Sequence, residues 1–348
     1  MITTDDSHHL GKLADSNSYW DPINIDGEDP RELLDQLRLM VLIRCAEERI
    51  GEGFGKGVIR CPCHLVIGQE VPAVGLASRI QKGDKVFGAH RSHAHYLALG
   101  GDLRKLLAEV LGRDTGCSKG MGGSMHLIAL EQGLYGTVPI VGATIPIAAG
   151  AALAAKLDKS DSVVVSFLGD GATEEGVFHE TLNFASNFQL PVVFVIENNL
   201  FASHLHMSLR QPFDSTCRFA QAHGVSWQRV DGNDLVAMKR ASSLAVCQAR
   251  AGAGPQLIEA VTYRWRGHVG DREDQDVGVA RKEGLESWKK RDPIQRLALA
   301  LETSGRLDEG MLQDMRKKSQ TVVAEAWEQA RLDPFPAAEA LLDRVYFK

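Results

Sequence analysis

Two stretches decide the fold: Ser162-Val163-Val164-Val165-Ser166-Phe167-Leu168-Gly169-Asp170-Gly171 and Leu190-Pro191-Val192-Val193-Phe194-Val195-Ile196-Glu197-Asn198-Asn199. Each carries a continuous β-branched and apolar run without polar alternation, the pattern of a parallel strand covered on both faces. Between them, residues Glu174 to Phe188 place Val177, Phe178, Leu182, Ala185 and Phe188 on one face of a helix. Strand, helix and strand make a βαβ unit, so the expected fold is α/β, with a parallel sheet and helices on both faces. Asn199 follows Asp170 by 29 positions, room for one helix and one return strand. Both residues are therefore expected at the carboxyl ends of neighbouring strands, the edge at which open α/β sheets bind ligands.

The pair has a chemistry of its own. Mg²⁺ takes oxygen ligands in octahedral geometry at about 2.0–2.1 Å. The Asp170 carboxylate and the Asn199 amide oxygen would leave places for a backbone carbonyl, a water and two phosphate oxygens. Gly169 and Gly171, flanking Asp170, let the backbone come close to a phosphate, and the helix that starts at Glu174 turns its first amides towards anionic oxygens. A nucleotide-binding reading of the βαβ unit would want GxGxxG at the turn, and Gly169-Asp170-Gly171-Ala172-Thr173-Glu174 lacks it.

Outward from this centre, three further segments are expected to be regular. Leu33, Leu34, Leu37, Met40 and Val41 recur at helical spacing before a glycine-dense stretch at Gly51 to Gly57. Leu103 to Leu111 is helical in pattern and leads into a glycine-rich loop, Gly116 to Ser124. Ile145 to Leu157 is Ala-rich and predicts a buried helix, Gln256 to Thr262 a third strand, and the tail from Pro293 onward further helices. The resulting division is a polar, mobile arm over 1–28, an α/β domain over 29–300 and a helical extension of that domain over 301–348.

Composition narrows the partners. A net charge of −6 with scattered basic residues predicts no nucleic-acid partner. No stretch approaches the roughly 20 apolar residues of a membrane helix. Met1 to His9 has no basic region followed by an apolar core, and the six cysteines form no CxxC framework, so a reduced, cytoplasmic setting is expected. Cys61-Pro62-Cys63-His64 invites a structural zinc reading, but no second ligand pair stands at a suitable distance. Gly55-Lys56 is followed by no Ser or Thr, which rules out a P-loop.

The central segment, from Gly169-Asp170-Gly171-Ala172 through Glu175-Gly176, Glu180, Asn183, Leu190-Pro191-Val192 and Glu197-Asn198-Asn199, resembles the thiamine-diphosphate signature of the alpha subunits of pyruvate, acetoin and branched-chain 2-oxo acid dehydrogenases. The resemblance covers about residues 30 to 300. It implies the thiamine-diphosphate-binding form of the α/β fold, with Mg²⁺ held by Asp170, Asn199 and the carbonyl of Phe201, and diphosphate contacts at Gly171 and Ala172. His90-Arg91-Ser92-His93 is similar to a motif whose arginine meets the diphosphate. Pro139-Ile140-Val141-Gly142-Ala143 is similar to the segment whose backbone meets the aminopyrimidine ring, and Tyr263 to His268 to the motif that carries the active-site histidine. Ile59 to Glu70 looks like the substrate-channel segment. This chain departs from the family pattern at Cys61-Pro62, in place of Gly-Phe, and at His90, in place of tyrosine.

Among the histidines, His268 is the first catalytic candidate, as donor or acceptor of a proton at a developing oxyanion. His64 and His93 are further active-site candidates, while His126, His204 and His206 are expected to have local structural roles. The resemblance also implies a division of labour. In this family the glutamate that activates the cofactor belongs to a separate beta subunit, and no such segment is evident here. The expected assembly is two alpha and two beta chains, with a 2-oxo acid substrate and a lipoyl-bearing acyltransferase as acceptor. Acetoin-type oxidation, or a stand-alone decarboxylase or carboligase without a lipoyl partner, is the alternative. Residues 269 to 282 are rich in charge and glycine and are expected to form a loop that closes over the site.

Overall fold

The computed structural model describes residues 7–274 and 282–343. Its strands are β1 (Lys85–Gly88), β2 (Leu134–Thr137), β3 (Val164–Gly169), β4 (Val192–Asn198), β5 (Phe201–Ala202), β6 (Leu205–His206), β7 (Ser226–Asp231) and β8 (Gln256–Val261). Six of them form one sheet in the order β2-β1-β3-β4-β8-β7, every pairing parallel, while β5 and β6 make a small antiparallel hairpin. The helices are α1 (Pro30–Gly55), α2 (Glu70–Ala77), α3 (His93–Ala98), α4 (Leu103–Val110), α5 (Thr144–Leu157), α6 (Gly176–Asn187), α7 (Cys217–Ala222), α8 (Leu235–Arg250), α9 (Lys282–Lys289), α10 (Pro293–Thr303), α11 (Met311–Leu332) and α12 (Ala340–Asp343).

The continuous apolar runs are resolved by the period of two of a strand. Val163, Val165, Phe167, Val193, Val195, Ile258 and Ala260 face one core, shared with α1, α2, α8 and α10. Val164, Leu168, Val192, Phe194, Ile196 and Leu257 face the other, shared with α5, α6 and α7. Both faces of the central strands are thus buried, which is why no polar alternation survives in them.

The glycine-dense stretch Gly51 to Gly57 does not interrupt α1, which runs through Gly51 and Gly53 to Gly55. Here glycine serves close packing. A Cβ on Gly51 would stand 3.0 Å from Leu65 Cδ1, and one on Gly53 would run into the Trp327 ring of α11. Ala-rich α5 is buried on one side only. Ile145, Ala148, Ala149 and Ala152 enter the core, while Ile147 on the other side is half exposed.

Residues 7–28, read from composition as a mobile arm, lie against the body of the molecule. Polar composition hid three anchors. Leu10 packs with Phe201, Tyr263 and Trp288, Ile23 enters the main core, and backbone groups meet buried arginines. Arg291 donates to the carbonyls of Leu13 (2.9 Å) and Asp15 (3.2 Å), and Arg296 to that of Asp21 (3.0 Å). Both arginines close on Asp231 at the end of β7, at 2.9 and 2.7 Å.

Removing one partner from a buried ionic cluster strands the others, at a cost of about 3–5 kcal/mol. Asp231→Ala should therefore lower the unfolding free energy by that margin, read as a lower urea midpoint, and speed tryptic cleavage at Lys12. An unchanged midpoint with unchanged cleavage would remove Asp231 as the tie between the sheet and the N-terminal segment.

Candidate active site

β3 and β4 pair in register, with Gly169 opposite Glu197, so the residues that follow them emerge side by side. Asp170 opens a 3₁₀ turn, Asp170–Glu174, ahead of α6, and Asn199 comes directly after β4. The two asparagines divide their work. Asn198 is tied inward, its amide donating to Glu259 at 2.8 Å and its oxygen accepting from the Leu200 N–H at 3.1 Å. Asn199 faces outward. Leu200 takes a left-handed backbone, φ 69°, which turns the chain back into the β5–β6 hairpin and brings the Phe201 N–H within 3.2 Å of Asn199 Oδ1.

These residues border a cavity of about 360 Å³. Gly169, Asp170, Gly171, Ala172, Asn199 and Phe201 supply one stretch of its wall, Ile140 and Val141 another, and Arg91 and His268 also reach it. Every metal- and cofactor-binding candidate drawn from the sequence is therefore on this lining. Gly171 has no room for a side chain, since a Cβ there would stand 2.8 Å from that of Ala202. The Asp170 carboxyl is buried, and burial raises its pKa against the opposing pull of Arg210, whose guanidinium bonds both Asp170 and Glu174.

Arg91 is buried and donates to the carbonyls of Leu65 and, at 3.3 Å, His268, joining the β1 edge to the segment after β8. The His268 N–H in turn donates to Asp274 at 2.7 Å. Three imidazoles meet here: ring centroids lie 4.6 Å apart for His64 and His90, 4.9 Å for His64 and His268, and 5.4 Å for His90 and His268. Burial first, then the Arg91 charge, pulls their pKa values down, to about 2 for His64, about 3 for His90 and about 4 for His268. All three are neutral at pH 7.

His93 does not join this group. Its Nδ1 meets Glu47 at 2.6 Å and its Nε2 meets Ser124 Oγ at 2.8 Å, and the ring is absent from the cavity lining. Burial opposes its charged form, but Glu47 outweighs it and raises the pKa. Its catalytic reading rested on a motif position, whereas its geometry ties α3 to α1 and to the glycine-rich loop. That loop is organised by a residue the sequence did not single out. Glu109, fully buried on α4, accepts from the N–H groups of Ser118 (2.7 Å), Gly120 (2.9 Å), Gly122 (2.7 Å) and Gly123 (3.0 Å). His126 and His206 make local contacts with the Gly122 carbonyl and Ser208, whereas His204 reaches Asp274, the residue that also accepts from the His268 N–H.

Other wall residues were also missed. Gln69 is buried on the lining with neither amide atom hydrogen-bonded, Glu197 lies there within 3.2 Å of His95 Nε2, and Arg210 covers Asp170. The Gln69 amide was the one with a signal in the sequence, since it adjoins Glu70 in the channel segment. Of the closing loop expected over 269 to 282, residues 275–281 lie outside the described residues. In the described part, the Gly270 N–H donates to Cys63 O at 2.8 Å.

A family model for the dehydrogenase E1 component matches residues 38–339. The chain is 36% identical over 304 residues to the alpha subunit of the pyruvate dehydrogenase E1 component of Rhizobium meliloti (strain 1021), covering 87% of each. It is 38% identical over 309 residues to the alpha subunit of acetoin:2,6-dichlorophenolindophenol oxidoreductase of Bacillus subtilis (strain 168), covering 88% of this chain and 91% of the relative. The corresponding pyruvate dehydrogenase subunit of Zymomonas mobilis is 36% identical over 318 residues, covering 91% and 89%.

The three lowered histidine values fix a pH window. Above about pH 6.5, these groups are neutral in both folded and unfolded chains and do not affect stability. As pH falls from there towards about 4, the unfolded chain binds protons that the folded chain refuses, so stability drops. Urea midpoints measured across that window should fall for the native chain and fall less steeply for His90→Phe. Parallel curves would contradict the neutral-imidazole cluster.

Proposed function

The chain belongs to the dehydrogenase E1 component family, and on that premise we propose that it is the alpha subunit of a thiamine-diphosphate- and Mg²⁺-dependent 2-oxo acid dehydrogenase that decarboxylates its substrate oxidatively. The observation that carries the reading is the emergence of Asp170 and Asn199 from paired strands onto the wall of one cavity shared with Arg91 and His268. Oxygen donors of this kind suit Mg²⁺, and the absence of side-chain room at Gly171 suits a backbone approached by phosphate.

In this reading, Asp170, the Asn199 amide oxygen and the Phe201 carbonyl hold the metal. Gly169 to Ala172 and Arg91 hold the diphosphate, and the backbone at Ile140 and Val141 meets the aminopyrimidine. Once bound, thiamine diphosphate supplies an electron sink for decarboxylation. His268 lies between Arg91, on its carbonyl, and Asp274, on its N–H, so its backbone is held from both sides. Its neutral ring can donate a hydrogen bond to a developing oxyanion and can also accept a proton. His64 packs edge-on against that ring and limits its rotation. His93 acts at one remove, through Ser124 and the glycine-rich loop.

The activating glutamate comes from a beta subunit in an assembly of two alpha and two beta chains. Ile140 and Val141, each at least half exposed on the cavity wall, form the kind of apolar surface that a partner covers. The acyl acceptor is a lipoyl group on a partner acyltransferase, and the setting is cytoplasmic, consistent with six free thiols. Acetoin-type oxidation is the second reading, favoured by the Bacillus relative.

Asp170→Ala and Asn199→Ala should each weaken Mg²⁺-dependent thiamine diphosphate binding more than about 100-fold, beyond the loss usual for outer partners of a metal site. Calorimetry on the alpha–beta complex reads this directly, and unchanged affinity in either variant rejects the metal assignment. The chain alone should not turn over 2-oxo acids or acetoin with an artificial electron acceptor, and the complex should. Normal turnover by the chain alone would reject the two-chain site.

A further inference from the structure

Residues from three separate segments meet beside the cavity: His64 ahead of α2, His90 just after β1 and His268 after β8. Their ligating nitrogens all lie within 4.8 Å of one another. We propose that His64, His90 and His268 together form a binding site for one borderline divalent cation of the Zn²⁺ or Cu²⁺ class, with the remaining coordination position open to the cavity.

Zinc held tetrahedrally by nitrogens at about 2.0–2.1 Å needs them roughly 3.4 Å apart. Side-chain rotation that closes the widest gap by about 1.4 Å meets this requirement. His64 gives independent support. It is buried, and its Nδ1 has no hydrogen-bond partner. A buried donor or acceptor left unmade costs about 1–3 kcal/mol, and a metal bond relieves that cost. The rings also arrive neutral, the state in which imidazole is a ligand. His90 and His268 line the cavity, so a cation held by them stays in reach of small molecules there.

The site is separate in chemistry from the oxygen donors of Asp170 and Asn199. Three imidazoles select zinc, copper or nickel, and they disfavour the harder Mg²⁺. The third ligand is this chain's own, since His90 stands where the family pattern has tyrosine. Arg91 works against binding, because its guanidinium neighbours the cluster and repels a dication. The cation is therefore expected to arrive with an anion in its fourth position, hydroxide or a small carboxylate. Occupancy would take the His268 ring out of proton transfer, so the same cations would inhibit whatever reaction the cavity performs. The site does not depend on the diphosphate reading.

The test uses the full 348-residue chain, stripped of metals and given up to one equivalent of Zn²⁺. X-ray absorption at the zinc edge should show about three imidazole neighbours, and calorimetry should give one site per chain. His64→Asn, His90→Phe and His268→Asn should each weaken Zn²⁺ by more than about tenfold, the lower end of the loss usual even for outer partners of a metal site, while His126→Asn, at an exposed histidine, should not. Sulfur neighbours would place the cation at Cys61 and Cys63 and overturn the proposal, as would oxygen-only coordination or affinity unchanged in all three variants. If a variant fails to fold, the neighbour count on the unaltered chain decides alone. Asp170→Ala should leave Zn²⁺ binding intact, so failure of the Mg²⁺ assignment and failure of this one can be told apart.

Discussion

Parallel pairing of β3 with β4 is the constraint on which the rest of the site depends. The register sets Gly169 against Glu197, so the next residues, Asp170 and the Asn198-Asn199 pair, leave the sheet together and on the same edge. A slip of one residue would turn every side chain of a strand to its other face. It would send Val165 and Phe167 into the core built around α5 and α6, and Val164 and Leu168 into the one built around α1 and α8. Two different cores, each filled by alternate residues of the same strands, hold the register. The chemistry at the strand ends is thus secured by apolar packing far from any reacting atom.

A second layer of constraint is ionic and lies at the margins of the sheet. Asp231 gathers Arg291 and Arg296, and those arginines gather the carbonyls of the N-terminal segment. Arg44 similarly bridges Glu70 and Asp292, joining α1, α2 and the start of α10. Every one of these charges is buried or nearly so, and each has a partner, as burial of charge requires. They anchor the helices that frame the channel segment between α1 and α2, from which Gln69 reaches the cavity and His64 packs against the His90 and His268 rings.

What could be read from the sequence followed from periodicity and from dense local motifs. The central βαβ unit and the third strand, Gln256–Val261, were legible because short, predominantly apolar and β-branched runs have few other uses. Strands β1 and β2 have four residues each and carry too little pattern to be seen, and β7 alternates weakly at the sheet edge. Gly51 to Gly55 reads as a loop until the distant side chains packed on these glycines are known, among them the Trp327 ring on Gly53, more than 270 positions away. The cavity lining was legible where residues cluster in short motifs, as at Gly169 to Ala172. The supports behind that lining were not legible: Arg210 and Glu109 take their roles from tertiary neighbours, and the two partners of His93, Glu47 and Ser124, come from distant segments.

The buried Glu109 carboxylate has a consequence of another kind. Four main-chain N–H groups of the loop point inward to one anion, so the loop takes its shape from a contact that involves none of its own side chains. The N–H groups of Lys119 and Met121, interleaved between the bonded positions, go instead to the carbonyls of Gly116 and Ser118. A rim whose backbone is templated from inside can change its outward chemistry one residue at a time while its contour stays constant. Selection, or a protein engineer, can thus rewrite the outward face of this loop without first having to rebuild it.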